Sequence, residues 1–389
     1  MKKIGTAVFG IKAPIIKPYD NLIEITCDSL LEAVKENNLI LKDRDIVAVT
    51  EAIVAKAEGN FVTVDEIAQE VKEKFQSDTI GLIFPILSRN RFSLILKAIS
   101  RVCKKLYIQL SYPEDEVGNP LISREALAEK NINYYSDAFL EADFRKIFPD
   151  LLHPFTGIDY LKYFHQTAEC PVEIILANNP LEILKYTNNI INADIHSRKR
   201  TKNLLQSNKA KVFSLDEFLN QKREGGYNPH YGLLGSNVSK TEVLKLFPRE
   251  PLHFAEGLQK ALFQKTGIKL ECLVYGDGAF KDPVGGIWEL ADPVVAAAYT
   301  KGLEGTPQEI KLKYIADNVE GDGEITEKVR SLIKNKSNNQ LDSDNALGTT
   351  PRRYVDLIGS LCDLVTGSGD KGTPIVLIQN YFTDYAMEE

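Results

Sequence analysis

Apolar positions along this chain follow two rhythms. Short, mostly apolar runs read as strands: "DIVAVT" holds a buried strand from Ile46 to Thr50, and "LECLVYGD" is a strand-like run. Elsewhere apolar residues recur three and four apart. "TVDEIAQEVKEKF" puts Val64, Ile67, Ala68, Val71 and Phe75 on one helical stripe, and Thr63 with Glu66 has capping-box spacing. "PLHFAEGLQKALFQKTG" predicts a helix with Pro251 in its first turn and Gly267 at its end. "TTPRRYVDLIGSLCDLVTG" predicts another, with Thr350 as cap, Pro351 in the first turn, and Tyr354, Ile358, Leu361, Cys362 and Val365 sharing a face. "TPIVLIQN" then reads as a last strand.

From residue 79 the rhythm becomes strand, helix, strand: "TIGLIFPIL", "SRNRFSLILKAISRVC", "KKLYIQLSY". The alternation resumes in "VEIILANNPLEILKYT" and "SRKRTKNLLQSNKAKVFSLDEFLN", so the middle third predicts an α/β unit of its own. Polar "NQKREGGYNPHYG" marks a boundary near residue 226, and "IKNKSNNQLDSDNALG" reads as a loop. A chain of 389 residues exceeds one ordinary core, which agrees with two domains.

Charge narrows the partners. The balance of 47 basic and 54 acidic residues leaves a net charge of −7, so no general attraction to nucleic acid or to an anionic membrane is expected. The basic run "SRKRTK" lacks interleaved aromatics and reads as a solvated helix face. No apolar run approaches the roughly 20 residues of a membrane span. Gly, Lys and Pro interrupt the first residues before a secretory signal could form, which points to the cytoplasm. The five cysteines lack CxxC spacing and the five histidines lack HxxxH spacing, so neither a zinc site nor a disulfide framework is expected.

No GxxxxGK[ST], GxGxxG or GxSxG occurs, which leaves carboxylates on glycine-rich loops as the candidate chemistry. The clearest case is "YGDGAFKDPVGGIWELADP", residues 275–293, where Asp277 ends a strand and glycines allow main chain to approach a ligand. Oxygen donors of this kind suit a hard cation that neutralises phosphate charge. Arg89 and Arg91 in "LSRNRFS" stand at an expected helix start after a strand, an anion-binding arrangement.

Four motifs occur in a fixed order: "VAVTEAIVAKAEG", "YGLLGSNVSKTEVLKLFPREP", "CLVYGDGAFKDPVGG" and "RRYVDLIGSLCDLVTGSGDKGTPIVLI". In that order the chain resembles the γ-glutamyl ligase family of the deazaflavin coenzyme factor 420, whose members add glutamate to the coenzyme's carboxylate at the expense of GTP. The resemblance implies an α+β fold, with a mixed-sheet ligase-like core at residues 1–78 and 228–389 and an inserted α/β segment at 79–227. By resemblance, Lys56 and Glu58 belong to the nucleotide or metal region, Ser236 and Asn237 match a ligand-holding Ser-Asn pair, and Asp277 matches a metal-ligand position.

Two departures bear on activity. Leu234 stands where the family has a metal-binding aspartate, and "GDGAFKDP" replaces Ser-Asp-Thr-Phe-Gly. Either the cation has moved, the inserted segment supplies other carboxylates, or catalysis was lost. Replacement candidates are Asp282, a few residues past Asp277, then Asp115 and Glu116; Asp159 in "HPFTGIDY" is set aside for want of a following Ser-Asn. The expected function is an amide-forming ligase that joins a small-molecule carboxylate acceptor to an amino acid such as glutamate through an acyl phosphate. Mg2+ or Mn2+ would be the metal and GTP or ATP the co-substrate, with Lys56, Ser236, Asn237, Arg89 and Arg91 on nucleotide or phosphate and Asp277, Glu58 and Asp282 on metal. The alternative is a non-catalytic nucleotide- or phosphometabolite-binding protein on the same scaffold. The resemblance also implies a homodimer.

Overall fold

A computed structural model describes residues 4–88, 90–115, 118–153, 157–277, 280–281, 288–289, 293–306, 309–318, 322–334, 352–367 and 369–386. The chain forms two compact units, one of Met1–Ala57, Glu250–Gly278 and Val294–Glu389, the other of Glu58–Arg249 and Ala279–Pro293. The segment 79–227 read as an α/β insertion lies within the second unit. No helix among the described residues is long and apolar enough to cross a membrane.

In chain order the first unit opens with β1 (Ala7–Ile11), α1 (Leu22–Glu36), β2 (Ile46–Thr50) and α2 (Glu51–Ala57). The second unit follows with β3 (Phe61–Thr63), α3 (Val64–Phe75), β4 (Thr79–Ile83), α4 (Ser93–Arg101), β5 (Lys105–Leu110), α5 (Arg124–Glu129), β6 (Phe139–Leu140) and α6 (Glu141–Ile147). It continues with α7 (Tyr160–Thr167), β7 (Val172–Leu176), β8 (Asn189–Asn192), α8 (Arg198–Ser207), β9 (Lys211–Ser214), β10 (Asn237–Lys240) and β11 (Val243–Lys245). The first unit resumes with α9 (Pro251–Thr266) and β12 (Glu271–Tyr275). The hairpin β13 (Phe280–Lys281) and β14 (Trp288–Glu289) belongs to the second unit. The rest of the first unit is β15 (Ala296–Tyr299), α10 (Leu312–Asp317), α11 (Asp322–Lys334), α12 (Tyr354–Thr366) and β16 (Ile375–Gln379).

The sheet of the first unit runs β1-β16-β2-β12-β15, and only the β2–β12 pair is parallel, with Thr50 opposite Tyr275. Successive strand residues face opposite sides. Val47, Val49, Cys272 and Val274 therefore meet Leu30, Leu258 and Leu262 of α1 and α9 on one face. Ile46, Ala48, Leu273 and Tyr275 meet Val355, Ile358 and Cys362 of α12 on the other. This double coverage is why Ile46–Val49 of β2 and Cys272–Tyr275 of β12 are apolar or aromatic at every position.

In the second unit the order is β6-β7-β5-β4-β8-β9, parallel apart from β6 at one edge. Helix α3 carries the expected capping box, with Thr63 accepting from Glu66 N and the Glu66 carboxylate accepting from Thr63 N at 2.8 Å. Its Val64, Ile67, Val71 and Phe75 pack into the core beside β4 and α4. Burying each such side chain contributes about 1.5–3 kcal/mol before entropy is counted. Strands β10, β11 and β3 form a separate antiparallel sheet.

Helix α9 begins with Pro251 and ends at Gly267 in the left-handed region, φ 72°, as its sequence requires. Helix α12 starts later than the Thr350–Pro351 signal suggests. Those two residues lie outside the described ones, and Arg353 flanks the helix and grips Asp356 through two 2.8 Å bonds.

Candidate functional site

A pocket of about 390 Å3 opens at one end of the first unit's sheet. The parallel pair β2 and β12 ends there, β16 begins there, and β1 exits there, so four chain segments converge on one edge. Helix α2 follows β2 without a loop and carries Lys56 in its last turn to the pocket wall. Gly276 and Asp277 continue β12 into the same pocket. The C-terminal end of α12 adds Asp363 and Thr366, and the approach to β16 adds Thr373.

Hydrogen bonds fix the frame. Thr50 N donates to Pro374 O at 3.1 Å and Gly276 N to Val295 O at 2.9 Å. The Thr366 hydroxyl donates to Cys362 O at 2.8 Å, so in its 2.9 Å contact with the Tyr275 hydroxyl it is the acceptor. Burial pushes the Tyr275 phenol well above its ordinary value, which keeps that donor protonated. Two polar groups stay open. Thr373 Oγ1 is buried and makes no hydrogen bond, and Lys56 forms no hydrogen bond or ion pair among the described residues. A buried polar atom without a partner costs free energy, so a ligand oxygen at Thr373 would relieve a penalty that the pocket carries.

The residues fit a magnesium-like ion together with phosphate. Such an ion is held by one or two carboxylates and completes its shell with phosphate oxygens and water, and Asp277 and Asp363 supply that number. No group of three or more His, Cys, Asp or Glu side chains suited to a metal occurs among the described residues.

Of the residues singled out in the sequence, Lys56 and Asp277 share this pocket. Asp363 was missed. It lies one position beyond Cys362 on α12, off the stripe that faces the sheet, and its only signal was its place in the fourth motif. The others lie in the second unit. Glu58 is held by Arg249, whose backbone N donates to Glu58 Oε2 and whose Nη2 donates to Glu58 O, both at 2.6 Å. Ser236 is 1 % exposed and its hydroxyl has no partner. Asn237 Oδ1 accepts from Asn90 Nδ2 at 2.9 Å, and Val238 N donates to Asn90 O at 2.8 Å. The Ser-Asn pair is thereby joined to the loop that contains Arg91, whose N–H donates to Ser88 Oγ at 3.1 Å.

Gly235 precedes that pair at φ +70°, where a Cβ would lie 2.7 Å from Pro293 Cδ and 2.9 Å from Phe247 Cδ2, so no other residue fits. Leu234 is 8 % exposed and belongs to the apolar core of the second unit. Asp115 accepts from Asn119 N and Nδ2 at 2.8 Å, and Asp159 caps α7 while pairing with Arg145 at 2.8 Å. Arg89, Glu116 and Asp282 lie outside the described residues.

A family model described as F420-0:Gamma-glutamyl ligase matches residues 10–380. The matched span includes Lys56, Asp277, Asp363 and the Ser236–Asn237 pair. No curated protein matches the chain significantly.

Proposed function

The chain belongs to the F420-0:gamma-glutamyl ligase family, and from that premise we propose that the pocket shared by Lys56, Asp277 and Asp363 is its nucleotide and metal site. The observation that carries this reading is a convergence. Lys56 and Asp277 come from motifs more than two hundred residues apart, and both line one pocket with a third motif's Asp363.

On this reading an acceptor carboxylate oxygen attacks the terminal phosphorus of GTP or ATP, the nucleoside diphosphate leaves, and an acyl phosphate forms. The amine nitrogen of glutamate then attacks the acyl carbon, phosphate leaves, and the amine proton is lost to solvent. Lys56 sets positive charge against phosphate oxygens, where charge stabilisation counts most. Asp277 and Asp363 would hold Mg2+ or Mn2+, which when bound neutralises phosphate charge. In the second unit Ser236, whose hydroxyl is buried and unpartnered, and Asn237 orient a ligand.

Leu234 favours a second reading, a nucleotide-binding protein without turnover, because an apolar core residue replaces the family's aspartate. One assay separates the two. The protein is incubated with GTP or ATP, Mg2+ or Mn2+, glutamate and the deazaflavin acceptor or related carboxylates, and followed for nucleoside diphosphate and a glutamate-sized mass gain. Coupled appearance of both supports the ligase, and tight nucleotide binding with neither supports the binding protein. Asp277→Ala is expected to weaken Mn2+ and nucleotide binding by at least about tenfold; unchanged affinities would remove the pocket from both readings.

A further inference from the structure

The second unit holds a cavity that the ligase reading does not use. Its parallel strands occur along the chain as β4, β5, β7, β8 and β9 but lie in space as β7-β5-β4-β8-β9. The chain thus builds outward from β4 on one side, then returns to build outward on the other through β8. Connections that leave neighbouring β4 and β8 turn to opposite faces, which opens a crevice at the carboxyl ends of the strands, where sheets of this order bind ligands. A cavity of about 510 Å3 occupies that position. Phe84 after β4, Ser111 after β5, Asn179 after β7, and Asp194, Ser197 and Arg200 after β8 all line it.

The lining is built and polar. Asp194 is 8 % exposed, with Oδ1 accepting from Ser197 N at 2.7 Å and Oδ2 from Thr201 Oγ1 at 2.6 Å. Each oxygen keeps a lone pair for a ligand hydroxyl. Asp115, also in the lining, is engaged by Asn119 at 2.8 Å and by His153 at 3.2 Å. The cation is Arg200. Arg198 meets Asp216 at 3.4 Å and Lys202 meets Glu217 at 2.6 Å, whereas Arg200, like Lys199 beside it, makes no ion pair or hydrogen bond among the described residues, and of those two only Arg200 lines the cavity. The first turn of α8 carries Arg198, Lys199 and Arg200 and no acid, so three cations stand at a helix start where Asp194 is the carboxylate bonded to Ser197 N, and a bound anion would offset their charge further. This is the run "SRKRTK", which the sequence alone presented as a solvated face.

We infer that the second unit binds a phosphorylated, hydroxyl-bearing small molecule, a sugar phosphate or nucleoside monophosphate, in this crevice. Its phosphate pairs with Arg200 and its hydroxyls are accepted by Asp194. The volume lies within the range of small-molecule sites. The β4–α4 connection, "FPILSRNRF", contains no glycine, so main chain cannot make the close approach that a pyrophosphate requires, and a monophosphate fits better than a dinucleotide.

The test uses the full chain with Lys56→Ala and Asp277→Ala together, so that binding at the first pocket does not enter and the ligase reading is not at stake. Ribose 5-phosphate, AMP, GMP, adenosine and inorganic phosphate are titrated by calorimetry. One of the phosphate monoesters is expected to bind one to one, more tightly than adenosine or phosphate. Arg200→Glu should weaken that binding by at least about tenfold. Lys199→Glu, the same charge change one residue away from the cavity lining, should leave affinity within about threefold. Both residues are exposed, so the fold is not in question. The inference fails if no monoester binds, if adenosine binds equally well, or if the two charge reversals weaken binding equally.

Discussion

Replacing Leu234 by the aspartate that the family carries should not restore a metal site; it should unfold the second unit's core. Leu234 is 8 % exposed and belongs to the same apolar cluster as Leu233, Leu244 and Leu246. Leu234→Ala removes buried methyl groups and should cost about 2–5 kcal/mol. Leu234→Asp loses the same packing and also buries a carboxylate without a partner, so its cost at pH 7 should exceed that of alanine. For a unit of this size the alanine variant should melt roughly 4 to 20 °C lower. Burial raises the pKa of the introduced carboxyl above its unfolded value. The aspartate penalty is therefore smallest below the unfolded pKa and grows as pH rises through the folded one. Thermal melts of both variants at pH 4 and pH 7, followed by circular dichroism, measure this. If Leu234→Asp melts like the unmodified chain at pH 7, or gains an Mn2+ site without losing stability, the placement of this side chain in the core is refuted.

Three further outcomes are expected. Asp363→Ala, at the half-buried end of α12, should lower Mn2+ affinity in the presence of nucleotide by about tenfold while the melting temperature holds; an unchanged Mn2+ titration would exclude this carboxylate from the site. Hydrogen bonds from Arg101 and Lys97 hold the Glu242 carboxyl down to about 2, so its contribution is present above the ordinary carboxylate range and is lost as pH falls through about 2. Glu242→Gln should therefore melt lower than the unmodified chain at pH 7, with the gap closing toward pH 2 and shrinking in high salt, and a gap that ignores both would contradict the ion-pair account. Gly226→Ala would place a Cβ 2.3 Å from Phe61 O and 2.6 Å from Phe61 C, both main-chain atoms, so a loss of at least roughly 1–3 kcal/mol is expected in thermal denaturation; no loss would show that this contact is not made.

Much of the candidate site was legible because its parts are local. Asp277 lies two residues past β12 and Lys56 on the short helix that follows β2, and chain leaving two adjacent parallel strands emerges at the same end of the sheet. Asp363 was not legible as a site residue, because nothing near it in the chain shows which strand end α12 would reach. Leu234 looked like a lost ligand in the motif, whereas its burial gives it a packing role that the motif could not reveal. Likewise "SRKRTK" has the composition of a solvated helix face, and only the crossing from β4 to β8 places Arg200 on a crevice.

By itself the sequence determined where α3 and α9 start and where α9 stops, because a capping box, a first-turn proline and a terminal glycine act within three or four residues. It also marked β2 as a buried strand, since a run apolar from Ile46 to Val49 has no polar side to turn to solvent. Only the tertiary structure decided that β16, last in the chain, lies between β1 and β2, and that β4 lies between β5 and β8. Strand pairing joins backbone groups that every residue carries alike, so partner choice rests on which faces can be covered together, a property of the packed whole.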